Sequence, residues 1–332
     1  MDILVYILFA LGLVLIIKGG DWFVDSAVWI AEVTGIPSII IGATIVSIAT
    51  TLPELIVSVT ANLQGSSEMA IGNAVGSIIC NIGLISSLGF IALRTPVKKK
   101  LFAKKSSIMV ASLLTFTAFA WDLTFTHMEA LIVLLFIILF LYYNIQGSKE
   151  SKDEFVFDKS TLTKKIITKN IVLFVAGAAG IVLGASLLVD NGQVIAKQLG
   201  VPEAIISLTL IALGTSLPEL TTMLSSIKKK NHDIGLGNII GANILNVALI
   251  LTSSSLISKE GLPIQLYDFN FLGKAFTNYP NTLKIDVPFA LLLMLIFAVP
   301  TFIKGKTKKW QGFAMLAVYV IYLIVRVGTG IS

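Results

Sequence analysis

Two glutamates stand where a carboxylate is costly. Glu54 lies in Ala-Thr-Thr-Leu-Pro-Glu-Leu (49–55) and Glu219 in Gly-Thr-Ser-Leu-Pro-Glu-Leu (214–220), each near the middle of a long apolar run. An ionised carboxylate at membrane depth costs several kcal/mol unless compensated, and such groups mark ion pathways. The proline before each glutamate has no N–H for the carbonyl four residues back. Pro53 and Pro218 therefore free the carbonyls of Ala49 and Gly214 and are expected to break each helix. Loose backbone at that depth is tolerated where it lines a cavity. With hydroxyls from Thr50, Thr51, Thr215 and Ser216, the two stretches together offer an all-oxygen cage of two carboxylates. Hard cations want such ligands: Ca²⁺ takes about six to eight oxygens in flexible geometry, whereas Mg²⁺ demands a tighter octahedron and keeps its water. The single cysteine, Cys80, and the two histidines, His127 and His232, provide no cluster to suit a soft metal. The chemistry points to Ca²⁺, with Na⁺ able to use the same ligands.

The two stretches are parts of a repeat. At a constant shift of 165 residues, 21 of the 66 pairs from position 19 to position 84 are identical, where composition alone gives on the order of a tenth. The identities include rare intramembrane polar residues: Thr50/Thr215, Glu54/Glu219, Asn73/Asn238 and Asn81/Asn246. Gly72-x-x-x-Gly76 and Gly237-x-x-x-Gly241 read first as helix-packing motifs. Asn73 and Asn238 can serve simply to bond neighbouring helices, and Asp25 and Asp190, toward the ends of their spans, read as structural.

The elements that hold these residues are membrane helices. Of 332 residues, 55% are hydrophobic and 13% charged, about half the charge of a soluble domain. That balance sets aside nucleic-acid binding, a secreted disulfide scaffold and a soluble enzyme; the bilayer is the partner required, and no obligate protein partner is evident. Apolar runs near the 20 residues a bilayer demands place ten spans, at roughly 3–32, 36–63, 69–93, 106–121, 128–144, 170–199, 201–227, 233–257, 286–303 and 309–327. The start, Met1-Asp2, lacks the basic region of a cleaved signal. Of 25 Lys and Arg, 19 fall in the loops 94–105 and 145–169 and after the seventh and ninth spans. The positive-inside rule makes that side cytoplasmic, with both termini extracytoplasmic in the cell membrane. The net charge of +6 is thus a topology signal. Each half holds five spans, an odd number, so the second enters from the opposite side. The expected fold is an all-α polytopic membrane protein of ten helices in two inverted five-helix repeats, 1–144 and 170–332, joined by a cytoplasmic linker at 145–169. Inverted repeats with a midplane site are the architecture of secondary transporters. The segment 258–285, with Tyr267, Phe269, Phe271, Phe276 and Tyr279, is expected at the outer membrane interface.

The paired Gly-Thr-Ser-Leu-Pro-Glu and Gly-Asn-x-x-Gly cores resemble the repeats of the cation/Ca²⁺ exchanger superfamily, and specifically its prokaryotic sodium/calcium branch. The resemblance spans both halves. It implies eight core helices and two long ones, the first and sixth, that slide across them to alternate access. It also implies a Ca²⁺ site at Glu54, Glu219 and the backbones of Thr50 and Thr215. Flanking Na⁺ sites would draw on Ser47, Thr51 and Ser77, and on Ala212, Ser216 and Ala242, with Asn81 and Asn246 beside the centre. Three departures stand out. Ser47 adds a hydroxyl where archaeal relatives often carry a small apolar residue. Ala242 removes the hydroxyl expected opposite Ser77. Asn246 replaces the aspartate of some branches, including the potassium-dependent ones, which argues against a K⁺ requirement. Gly76 and Gly241 lie in the stretch where the proton/calcium branch carries a glutamate.

The expected activity is antiport of Na⁺ against Ca²⁺, with no cofactor beyond the transported ions. The alternative within the class is an H⁺/Ca²⁺ exchanger or an exchanger of Na⁺ for another divalent cation. An intramembrane hydrolase would need a nucleophile with its base or a metal motif, and neither His-Glu-x-x-His nor Gly-x-Ser-x-Gly is present. A cation channel would share the oxygen ligands, but breaks in both helices around paired carboxylates suit an occluded site better.

Overall fold

The structure is a computed structural model and describes residues 3–36, 38–63, 65, 67–150, 163–198, 212–271 and 273–330. Its helices are α1 (Ile3–Thr34), α2 (Ser38–Leu63), α3 (Ser67–Ala92), α4 (Lys99–Phe119), α5 (His127–Glu150), α6 (Lys164–Gln198), α7 (Leu217–Lys228), α8 (His232–Ile257), α9 (Thr282–Lys304) and α10 (Lys309–Gly330). Among the described residues eight helices, all but α4 and α7, are long and apolar enough to cross a membrane. α4 has 21 residues, but its first turns carry Lys99, Lys100, Lys104 and Lys105. Those lysines were expected in a loop; the helix begins seven residues before the apolar run from 106. The seventh expected span, 201–227, is described from Ala212 onward, and its first part lies outside the described residues, as do Pro37, Gly200 and Pro202 of the repeat. The linker expected at 145–169 is helical at both ends, where α5 runs to Glu150 and α6 starts at Lys164; its centre, 151–162, is outside the described residues.

The 165-residue shift recurs in the backbone. Ser67–Cys80 is α-helical, Asn81–Ser86 widens to π-helix and Ser87–Ala92 returns to α. His232–Leu245, Asn246–Leu251 and Thr252–Ile257 repeat that order with the same lengths. Such π turns are rare and gather at functional sites. Here each opens on an asparagine of the repeat.

The chain divides into two compact units, Met1–Thr51 with Asn144–Gly241 and Leu52–Tyr143 with Ala242–Ser332. Each takes a piece from either half of the sequence. In the first unit α1 and α6 meet backbone to backbone. A methyl group added at Gly19 would lie 2.8 Å from the Gly177 carbonyl, and one at Gly184 would lie 2.8 Å from that of Gly12. Small residues allow this approach, as in membrane helix pairs. Phe23, Ala27, Ala31, Ile41, Val46, Ile181 and Ile234 form the core beside the seam. The outward side of α1 exposes Leu4, Ile7, Leu11, Val14 and Ile17, a contiguous apolar face that suits lipid rather than water.

In the second unit α10 lies on α3. Gly83 is packed on Tyr319 and Gly312 on the Ser87 carbonyl, while Phe297 of α9 stacks on Phe90 at 5.3 Å. Before α9 begins at Thr282, the segment 258–285 contributes strands to two short antiparallel ribbons. β1 (Thr124–Phe125) pairs with β2 (Leu262–Pro263), and β3 (Tyr267–Phe271) pairs with β4 (Lys274–Tyr279). Phe269, Phe276 and Tyr279 cluster on one face of the hairpin; Phe276 and Tyr279 are three residues apart, and the irregularity in the pairing between Tyr267 and Phe269 turns the strand so that both reach that face.

Candidate ion site

Glu54 and Glu219 are both fully buried, but the helices present them differently. Pro218 is the second residue of α7, and a break at Ser216 separates that helix from the turn Ala212–Thr215. This matches the expected rupture. Pro53, by contrast, sits inside the continuous helix Ser47–Leu63, so the rupture expected there is corrected. The repeat has Gly214 where the first copy has Ala49. Glycine is about 1 kcal/mol poorer than alanine in a helix interior, and alanine at that point lets the helix carry its proline.

In the second unit Glu54 is anchored from α3. The Asn73 amide donates to the Glu54 backbone carbonyl at 3.2 Å and to Ser58 Oγ at 2.9 Å. Asn73 is thus a helix-to-helix tie at the level of the carboxylate. Ser77 and Asn81 are buried four residues apart on α3, and Ala242 and Asn246 are buried four apart on α8; such pairs share a helix face. Asn81 Nδ2 donates to Asn243 Oδ1 at 3.2 Å, and Asn243 Nδ2 reaches Met109 Sδ at 3.7 Å. Among the described residues, Ser77 Oγ, Asn81 Oδ1 and both polar atoms of Asn246 are buried with no hydrogen-bond partner. A polar group left so costs about 1–3 kcal/mol, and oxygens of that kind can receive a desolvated cation.

In the first unit Ser47, Thr50, Thr51, Ser216 and Glu219 are buried, and Thr215 is half-buried. The Thr50 hydroxyl donates to Asn238 Oδ1 at 3.1 Å, so Asn238 too bonds a neighbouring helix. Thr51 Oγ1 and Ser216 Oγ have no hydrogen-bond partner among the described residues. Ser47 Oγ is engaged, donating to the Thr44 carbonyl at 3.1 Å. Ala212 opens the short turn before the break and has no side-chain oxygen to give. Asp25 pairs with Lys229 at 2.6 Å, in keeping with its structural reading.

Asn243 is a polar residue that the repeat conceals, because its partner at the 165-residue shift is Ile78. Its signal was an extra amide, the second of three in Gly-Asn-Ile-Ile-Gly-Ala-Asn-Ile-Leu-Asn (237–246). The two glycine motifs also part company. Gly237 and Gly241 lie against α2, where added methyl groups would come within 2.9 Å of Ala43 N and 2.6 Å of the Ala43 carbonyl. Methyl groups at Gly72 and Gly76 would meet nothing within 4 Å, so the packing role expected for that pair is corrected. Among the described residues no three His, Cys, Asp or Glu side chains gather to hold a metal.

The chain matches the sodium/calcium exchanger protein family over residues 4–146 and 169–328. The starts of those two stretches are themselves 165 residues apart. The sodium/calcium exchanger MaX1 of Methanosarcina acetivorans is 33% identical, with 96% of this chain and 97% of that protein aligned. An uncharacterized membrane protein of Methanocaldococcus jannaschii is 32% identical, with 94% of this chain and 95% of that one covered. Among solved structures, the sodium-calcium exchanger NCX_Mj soaked with Na⁺ and Sr²⁺ superposes with a TM-score of 0.82. It shares 29% identity, over 98% of this chain and 99% of that one. Matches of this length and identity, on a helical membrane fold with buried carboxylates, set the chain among transporters rather than enzymes. It belongs to the sodium/calcium exchanger family.

Proposed function

We propose that the protein is a secondary antiporter that exchanges Na⁺ for Ca²⁺ at a mid-membrane site, by alternating access, in the cell membrane. Glu54 and Glu219 supply the charge that holds Ca²⁺, with backbone oxygens of Thr50 and Thr215. Na⁺ uses Ser47, Thr51 and Ser77, and Ala212, Ser216 and Ala242, of which the two alanines give only carbonyls. Asn81 and Asn246 stand beside the centre. The five-helix halves 1–144 and 170–332 act as inverted repeats, with both termini outside. One observation carries this reading: in a chain of this family, a fully buried glutamate occurs at the same point of both repeats. A carboxylate at membrane depth is costly unless compensated, and such groups mark ion pathways.

The Na⁺ ligands flank the Ca²⁺ ligands in one cage that the two ions occupy in turn, so the site exchanges rather than co-transports. The test is ⁴⁵Ca uptake into vesicles holding the purified protein. An imposed Na⁺ gradient should drive uptake, and a pH gradient of equal free energy should not. Uptake driven by the pH gradient alone would replace this reading with proton exchange.

A further inference from the structure

One end of the second unit carries a dense positive surface that ion exchange does not use. Two loops far apart in sequence are knitted together there. Val97 N donates to the Gly305 carbonyl at 2.9 Å and Thr307 N to the Thr95 carbonyl at 2.9 Å. Thr95 N donates to the buried Thr307 hydroxyl at 2.8 Å, across 212 residues of chain. Lys99 Nζ donates to the Ile303 carbonyl at 3.0 Å, which leaves two of its three N–H groups available. The result is an exposed cluster of Arg94, Lys99 and Lys100 with Lys304, Lys306 and Lys309. No acidic residue occurs in 94–121 or in 287–332.

A bias of lysines toward one membrane face needs only that they lie in loops. It does not need two loops joined by a ladder of hydrogen bonds so that their charges converge. Helices α3 and α9 end here and α4 and α10 begin here, which sets the cluster at the level of a membrane surface. Beside it Phe302, Ile303 and Trp310 are exposed, and tryptophan is the residue that favours the headgroup region. Ammonium and guanidinium groups next to an exposed apolar rim fit a phosphodiester attached to acyl chains. We propose that this face binds the headgroup of an anionic phospholipid, with the acyl chains lying along Phe302, Ile303 and Trp310. The binding is independent of the ions exchanged.

The test is native mass spectrometry of the full-length protein in detergent, titrated with phosphatidylglycerol, with phosphatidylcholine and with inorganic phosphate. The wild type should retain phosphatidylglycerol in preference to phosphatidylcholine. Each basic residue near an anionic surface contributes about fivefold, so Lys304→Gln/Lys306→Gln/Lys309→Gln should weaken retention on the order of a hundredfold. The remote variant Lys259→Gln/Lys274→Gln/Lys284→Gln, which loses the same charge at the opposite end of α9 in the same unit, should bind like the wild type. If the first variant does not purify, Arg94→Gln/Lys100→Gln on the facing loop should show the loss. Equal retention of the two lipids, or an equal loss in the remote variant, would overturn the proposal. Displacement of the lipid by inorganic phosphate at comparable concentration would also overturn it, by revealing a free-phosphate site.

Discussion

Asn246 differs from an aspartate by one charge, and that difference bears on which ions the protein needs. Its amide is fully buried and can lend an oxygen, but it cannot neutralise a further monovalent cation. Removing K⁺ should therefore leave Na⁺-driven Ca²⁺ flux unchanged; a K⁺ requirement in the wild type would refute the reading of this position. Asn243 has a different task, since it accepts the amide of Asn81. Asn243→Leu should destabilise the protein in detergent by about 1 kcal/mol or less, the usual worth of a polar contact between membrane helices, and so lower its thermal midpoint. No change in midpoint would show that the contact contributes nothing. The glutamates, threonines and paired asparagines are legible in the sequence because a polar residue repeated at a fixed shift in apolar surroundings has few structural explanations. Asn243 is not legible, because its counterpart is isoleucine and the duplication gives it no echo.

At the scale of elements, identical motifs have come to do different work. Gly237 faces the backbone of α2, whereas Gly72 faces open space. Gly237→Ala should cost about 1–3 kcal/mol through overpacking and reduce the yield of monodisperse protein. Gly72→Ala should leave the thermal midpoint unchanged or raise it, since alanine is the better helix former. Size-exclusion profiles after a heating series would distinguish the two, and equal losses would contradict the asymmetry. The same divergence separates Pro53 from Pro218: proline removes one hydrogen bond in either place, but only the copy preceded by Gly214 breaks. Sequence periodicity registers the motif and the removed donor. It does not register what packs against the motif, because that depends on helices distant in the chain. The start of α4 was hidden for a related reason. Lys105 is fully buried although it belongs to a basic run, and composition cannot distinguish a lysine whose stem packs on a helix from one in a loop.

At the scale of the whole molecule, composition alone places the chain in a bilayer, and among the described residues eight helices suited to crossing one follow from the same apolar runs. The hairpin Tyr267–Tyr279 was less legible, since ribbons that short depend on partners rather than on their own pattern. The proposed orientation makes a direct prediction. A protease site appended to either terminus should be cut from outside in intact cells; protection of both would reverse the topology. The central claim is that two carboxylates, one from each repeat, hold the transported Ca²⁺. Glu54→Gln and Glu219→Gln keep the side-chain shape while removing one charge each and replacing an oxygen acceptor with a donor. At an effective dielectric near 20, a unit charge about 4 Å away is worth roughly 4 kcal/mol, close to a thousandfold in affinity. Na⁺-driven ⁴⁵Ca uptake into vesicles should therefore disappear in either variant, with the protein still inserted and monodisperse, while Glu260→Gln, at an exposed loop position, transports normally. Wild-type uptake by Glu54→Gln or Glu219→Gln would contradict the account.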